Sequence, residues 1–176
     1  MNDLKKAIRA IPDFPKPGIL FYDITSLLAQ PEAFREAIDQ MEVYCRRRDA
    51  DKIVAIESRG FIFGGALADR IQIPFVPIRK PGKLPGETVR QEYELEYGTD
   101  AIEMHADAVR PGDNVLVIDD LIATGGTLQA ACRLVERVGG HIAGITALIE
   151  LAFLPWRDRM QPYDVFTLIT YDSEKM

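Results

Sequence analysis

Residues 115–127 read VLVIDDLIATGGT, and the succession of residue types in that stretch decides the class of fold. Val115 to Ile118 are apolar without interruption, as in a strand buried on both faces of a parallel sheet; a half-exposed strand would alternate. Asp119 and Asp120 follow, then a turn of small residues, Ala123-Thr124-Gly125-Gly126-Thr127. Leu128 to Val138 then reads as a helix stopped by Gly139 and Gly140. Such a strand, turn and helix form half of a βαβ unit. In open sheets of this kind ligands sit beyond the carboxyl ends of the strands, against unpaired amides at helix N-termini. The turn offers backbone N–H groups, two hydroxyls and two positions free of side chain, which suits a monophosphate. Adjacent carboxylates suit the two hydroxyls of a ribose. The rival reading is a plain strand-to-helix turn, since Thr and Asp also cap helices.

Working outward, the pattern repeats. Lys52 to Ile56 reads as a strand, Phe61 to Ile71 as a helix and Phe75 to Ile78 as a strand, while Ile142 to Leu151 and Asp164 to Thr170 supply two more. The expectation is an α/β protein with a mainly parallel sheet flanked by helices. At 176 residues the chain has the size of one domain, 1–176. Pro31 opens a helix whose Phe34, Ile38, Met41 and Cys45 recur at helical spacing. Arg46, Arg47 and Arg48 at its end read as a solvated terminus whose cations complement the helix dipole. Ahead of it, IPDFPKPGILFYDIT places Pro12, Pro15 and Pro17 within six residues, too many for a regular helix or a central strand; about residues 1–30 are expected to form a hood. The polar stretch of about 80–108 alternates along RQEYELEYGTDAIEMH. It reads as a two-stranded ribbon acting as a lid, with Tyr93, Leu95 and Tyr97 on one face, Glu92, Glu94 and Glu96 on the other, and its turn near Gly98 and Thr99.

Composition limits the function. A net charge of -6 argues against general nucleic-acid binding, which needs surplus Lys and Arg. MNDLKKAIRAIPDF lacks the continuous apolar core of a signal peptide, and no apolar run approaches the roughly 18 residues of a membrane span, so a cytosolic protein is expected. Cys45 and Cys132 read as reduced core residues. His105 and His141 are too scattered for zinc. Neither GxxxxGK[ST] nor GxGxxG occurs, which disfavours ATP hydrolysis and dinucleotide binding.

IDDLIATGGT resembles the phosphoribosyl-diphosphate motif of the type I phosphoribosyltransferases. IESRGFIFG at 56–64, RKPGKLPG at 79–86, YELEYG at 93–98 and FPKPGILFYDIT at 14–25 are similar, in order and over most of the chain, to the adenine-specific members of that family. The resemblance implies transfer of the 5-phosphoribosyl group from phosphoribosyl diphosphate to N9 of adenine, giving AMP and diphosphate, by a homodimer. It places Asp119 and Asp120 on the ribose hydroxyls and Ala123, Thr124, Gly125, Gly126 and Thr127 around the 5-phosphate. Ser58, Arg59 and Gly60 would lie at the diphosphate together with Glu57, and Arg79, Lys80 and Lys83 would add cations from the lid. Magnesium, the expected cofactor, would be bound mainly by substrate and water. Around adenine the resemblance puts Leu20, Phe21, Tyr22 and Leu121, with Tyr97 as a lid contact. Tyr22 stands where that family often has arginine, a change that backbone contact survives.

Glu96 matches the family's acidic lid residue, assigned to the proton at N7 of adenine; a solvated acidic strand shared with Glu92 and Glu94 is the competing reading. Relatives acting on hypoxanthine or guanine carry aspartate where this chain has Ala123, so adenine is the expected base. The alternatives are a phosphoribosyltransferase for another purine and a non-catalytic regulator that binds phosphoribosyl diphosphate.

Overall fold

The structure, a computed structural model, describes residues 3–94 and 98–173. A 3-10 turn, Leu4–Ala7, leads into a hairpin of β1 (Arg9–Pro12) and β2 (Leu20–Asp23), followed by a single helical turn, α1 (Thr25–Leu28), and the long helix α2 (Pro31–Cys45). The α/β core then runs β3 (Lys52–Ile56), α3 (Gly60–Ile71) and β4 (Phe75–Ile78). A ribbon of β5 (Thr88–Glu94) and β6 (Thr99–His105) intervenes before β7 (Asn114–Ile122), α4 (Gly126–Arg137), β8 (His141–Leu151), α5 (Trp156–Arg159) and β9 (Val165–Tyr171). Five strands form one sheet in the order β4-β3-β7-β8-β9, and every neighbouring pair is parallel.

The two faces of this sheet are separated by the period-two geometry of a strand. Ile53, Ala55, Leu116 and Ile118 face one core, with Ala37, Ile38 and Met41 of α2 and Phe63 and Leu67 of α3. Val54, Ile56, Val115 and Val117 face the other, with Leu128, Ala131, Leu134 and Val135 of α4. Helices α3 and α4 therefore cover opposite faces. From β3 the chain proceeds to its neighbour on one side, from β7 to its neighbour on the other, so the strand order reverses between β3 and β7. Adjacent loops at such a reversal diverge and leave a crevice.

Several boundaries differ from the sequence reading. The strand expected at 115–118 continues to Ile122 and carries Asp119 and Asp120 as its own residues, because its pairing with β8 persists through Ile122. Helix α4 starts at Gly126, so Gly126 and Thr127 belong to its first turn. Arg46–Arg48 are not simply a solvated terminus: Arg46 pairs with Glu42, and half-buried Arg48 pairs with Asp164 and lies over the Tyr44 ring at 4.3 Å. The ribbon is antiparallel with Glu94 opposite Thr99, which places Thr99 in a strand. Its described part alternates as expected, Tyr93 half-buried and Glu92 and Glu94 exposed. Its base is not a loose flap, for Ala101, Ile102 and Met104 are buried and two backbone hydrogen bonds join Arg79 to Glu103. Both cysteines are free and buried, and burial pushes the Cys45 thiol up to about 12. Among the described residues no helix is long and apolar enough to cross a membrane.

Candidate functional site

The crevice between β3 and β7 collects most of the residues singled out in the sequence. Residues 57–59 link β3 to α3 and residues 123–125 link β7 to α4, side by side at the carboxyl edge. Gly60 shows how closely they approach: a Cβ there would lie 3.1 Å from Asp119 Oδ1 and from the Ile118 carbonyl oxygen. Only a residue without a side chain lets the start of α3 meet β7 in this way.

Asp119 is half-buried and Asp120 is buried, with 6% of its surface exposed. Asp119 Oδ1 accepts the Asp120 N–H at 2.8 Å. Burial lifts both carboxyls above the usual carboxylate range, and for Asp119 the neighbouring Asp120 charge adds to the effect. Arg59, the residue before α3, opposes that rise at Asp120 with its Nε 2.9 Å from Asp120 Oδ2. The contact is an ion pair without the alignment of a hydrogen bond, so that oxygen keeps an unused acceptor. The same guanidinium lies 5.3 Å from the centre of the Phe21 ring. Arg59 thus joins the hood to the acidic strand end.

Beside the acids, α4 opens without a side-chain cap, behind Gly125 in the left-handed conformation at φ +76°. Its first intrahelical amide is that of Gln129, bonded to the Gly125 carbonyl, so the amides before it need other partners. A pocket of about 90 Å³ lies here, lined by Asp119 and residues 121–128. Wider hollows of about 680 and 820 Å³ occur elsewhere, one between the 3-10 turn and α2 and one between the ribbon, α4 and α5. Of these three, only the small pocket takes in Asp119 together with the whole turn into α4, and small size suits a group held by backbone.

The expected cations are present and already engaged. Arg79 Nε donates to Glu57 Oε2 at 2.7 Å and Lys83 Nζ stands 3.2 Å from Glu57 Oε1. Burial raises the Glu57 carboxyl, yet hydrogen bonds from Arg79, Lys83 and the Lys80 amide outweigh it and leave the group below its ordinary value. Lys80 pairs instead with Asp100 at 2.8 Å, which also accepts the Tyr93 hydroxyl at 3.3 Å. Asp100 carried no sequence signal, because cross-strand neighbours cannot be read without the register. Ser58 sits in the same loop as Arg59 and Glu57.

In the hood, Phe21 meets Phe14 edge-on at 5.1 Å and Leu20 and Leu121 pack partly buried against the first core. Tyr22 points elsewhere: it is 4% exposed and stacks on Tyr171 at 3.8 Å. Of the residues placed around the base, its ring is thus spent on the core. Asp23, missed in the sequence, anchors the hairpin by accepting from Thr25 and Arg9, which hold its carboxyl down at about 2. Glu96 and Tyr97 lie outside the described residues.

Comparison with known proteins adds an independent line. The family model "Phosphoribosyl transferase domain" matches residues 23–175. The curated adenine phosphoribosyltransferase of Solibacter usitatus is 54% identical, over 98% of this chain and 100% of its own. The crystal structure of adenine phosphoribosyltransferase from Thermoanaerobacter pseudethanolicus superposes with a TM-score of 0.93 at 50% identity, covering 96% of this chain and 98% of that one. The Saccharomyces cerevisiae adenine phosphoribosyltransferase, solved with an imino-altritol bisphosphate and adenine, gives 0.90 at 41% identity, covering 94% and 96%.

Proposed function

The chain belongs to the phosphoribosyltransferase family, and from that premise we propose that it converts adenine and phosphoribosyl diphosphate to AMP and diphosphate, a step of purine salvage. The observation that carries the proposal is the convergence, at one reversal of strand order, of two carboxylates, the uncapped start of α4 and a guanidinium. Displacing diphosphate from the anomeric carbon builds positive charge on the ribose and negative charge on the departing oxygens. The site separates these signs. Asp119 and Asp120 accept the ribose hydroxyls and face the growing cation, while residues 123–127 hold the 5-phosphate through backbone amides. Ser58, Arg59 and Gly60 take the diphosphate, with Arg79, Lys80 and Lys83 turning toward it from their present acids.

Magnesium fits this donor set, since it binds through one or two carboxylates plus substrate phosphates and water, and Asp120 Oδ2 retains an unused acceptor. Substrate phosphates and water would hold most of its coordination, with Asp119 or Asp120 as the carboxylate on offer, and the ion would supply neutralisation of the leaving group. Leu20, Phe21 and Leu121 form the apolar wall for the purine, with Tyr22 contributing main chain. Glu96 serves the N7 proton and Tyr97 closes on the base. Residues 1–30 act as hood and 80–108 as lid of one domain. The reading carries with it a cytosolic homodimer.

Given magnesium and phosphoribosyl diphosphate, the purified protein should form AMP from adenine far faster than nucleotides from hypoxanthine, guanine or uracil, as followed by chromatography of the products. Faster turnover of a 6-oxopurine would reassign the base. Tight binding of phosphoribosyl diphosphate with no turnover of any base would make the protein a regulator.

A further inference from the structure

The hairpin of β1 and β2 carries part of the proposed purine wall yet has little core of its own. Residues 12–19 are all exposed, Leu20 and Phe21 are half-buried, and along the two strands only Tyr22 and Asp23 are buried. Asp23 spends its carboxylate inside the hood, on Arg9 and on Thr25. The buried tie from the hairpin to the main sheet therefore falls to the Tyr22 ring. It stacks on Tyr171, the last residue of β9, with ring centres 3.8 Å apart and planes at 27°. Leu20, two residues back and so on the same strand face, adds a half-buried contact. The hood reaches Tyr171 a second time through Lys5, whose Nζ stands 4.4 Å from the centre of the Tyr171 ring and donates to the Thr170 carbonyl at 2.8 Å. Phe21, on the other strand face, meets the Arg59 guanidinium at 5.3 Å, and Arg59 in turn pairs with Asp120.

We propose that Tyr171 is a positioning residue for the purine wall: by stacking on Tyr22 it fixes β2 against the main sheet and so sets Phe21 beside Arg59. This rests on the function proposed above. Phe21 and Tyr22 share one strand backbone, so a displacement of the Tyr22 ring reaches Phe21, and small misplacements of a binding group are costly. The phosphate loop leads into α4, whose core lies on the opposite face of the sheet from the core that holds Tyr22 and Tyr171. Effects at Tyr171 should therefore reach the base and spare the ribose phosphate.

Tyr171→Leu keeps an apolar side chain but loses the stack. It should raise KM for adenine about three- to tenfold, the worth of one aromatic pair, with KM for phosphoribosyl diphosphate unchanged. Tyr171→Phe keeps the ring and should match wild type in both. Tyr22→Leu should give a similar rise, and the double leucine variant no more than either alone, since both changes remove one contact. Amide hydrogen exchange over residues 9–23 should quicken in Tyr171→Leu while that over 126–137 holds. An unchanged KM for adenine, equal rises in both KM values, additive losses in the double variant, or unaltered exchange over 9–23 overturns the proposal. Should the leucine variants fail to fold, Lys5→Met, at an exposed position, decides: it should raise KM for adenine alone by about twofold or more, and no rise overturns the proposal. If exchange responds but wild-type protein forms no AMP from adenine, the proposed function fails while the tether of the hood to Tyr171 stands.

Discussion

Asp119 and Asp120 illustrate how a site can be arranged against the stability of its own fold. A carboxyl whose folded pKa lies above its ordinary value holds its proton more tightly in the folded state. The stability associated with Asp119 is therefore greatest below about pH 3.8, its ordinary value, and is lost as pH rises through the higher folded one. At neutral pH, Asp119→Asn should melt no lower than wild type while its turnover falls by about 10²–10³-fold, as should that of Asp120→Asn. Thermal melts beside initial rates check this, and a variant with full turnover would remove the assigned role. Residue identity at this spot was legible because two acids before a small-residue turn form a local pattern. The partners were not. The pairing of Arg79 and Lys83 with Glu57 follows from the parallel register of β3 and β4, that of Lys80 with Asp100 from the bridge between Arg79 and Glu103, and the stacking of Tyr22 on Tyr171 joins the two ends of the chain. No window of sequence contains any of them.

Among elements, the contact of α3 with β7 is the most exposed to a single atom. In Gly60→Ala the new methyl meets the backbone of Ile118 and Asp119 at 3.1–3.2 Å, and backbone cannot swing away as a long side chain can. The substitution should destabilise by about 1–3 kcal/mol and, by shifting Arg59 off Asp120, lower kcat/KM for phosphoribosyl diphosphate as well. Denaturant melts and steady-state rates would show both; a loss of stability alone would mean that Arg59 is not positioned by this contact. Element types were readable from periodicity, since apolar runs of four or five residues between glycines and prolines define the central strands. Ends were harder. Apolarity stops at Ile118, but strand pairing does not stop with it, and β7 runs four residues further because β8 continues to offer hydrogen bonds. The ribbon's base misled in the other direction: Ile102 and Met104 sit in a polar, alternating stretch yet reach the α4 core, an outcome decided by packing rather than by composition.

For the molecule as a whole, the carboxyl edge of the sheet carries the proposed site and the opposite edge carries cohesion. There Lys52 pairs with Asp113 at 2.8 Å and donates to the Ala108 carbonyl at 2.8 Å, with both side chains largely covered. Lys52→Met should cost about 1–3 kcal/mol in chemical unfolding and leave turnover unchanged. The loss should shrink in acid, because the Lys52 hydrogen bond holds the Asp113 carboxyl below its ordinary value and the pair weakens once that carboxyl is protonated. An altered KM for either substrate would show that the two edges are coupled. The pre-engaged cations bear on the end of the catalytic cycle as much as on its beginning. If Arg79, Lys80 and Lys83 take the diphosphate as proposed, each has a resident carboxylate to return to, so a departing polyanion would face internal competitors for its counter-charges. Where release of product limits the cycle, Glu57 and Asp100 would then act as built-in eluents that keep the site from being held by what it has made.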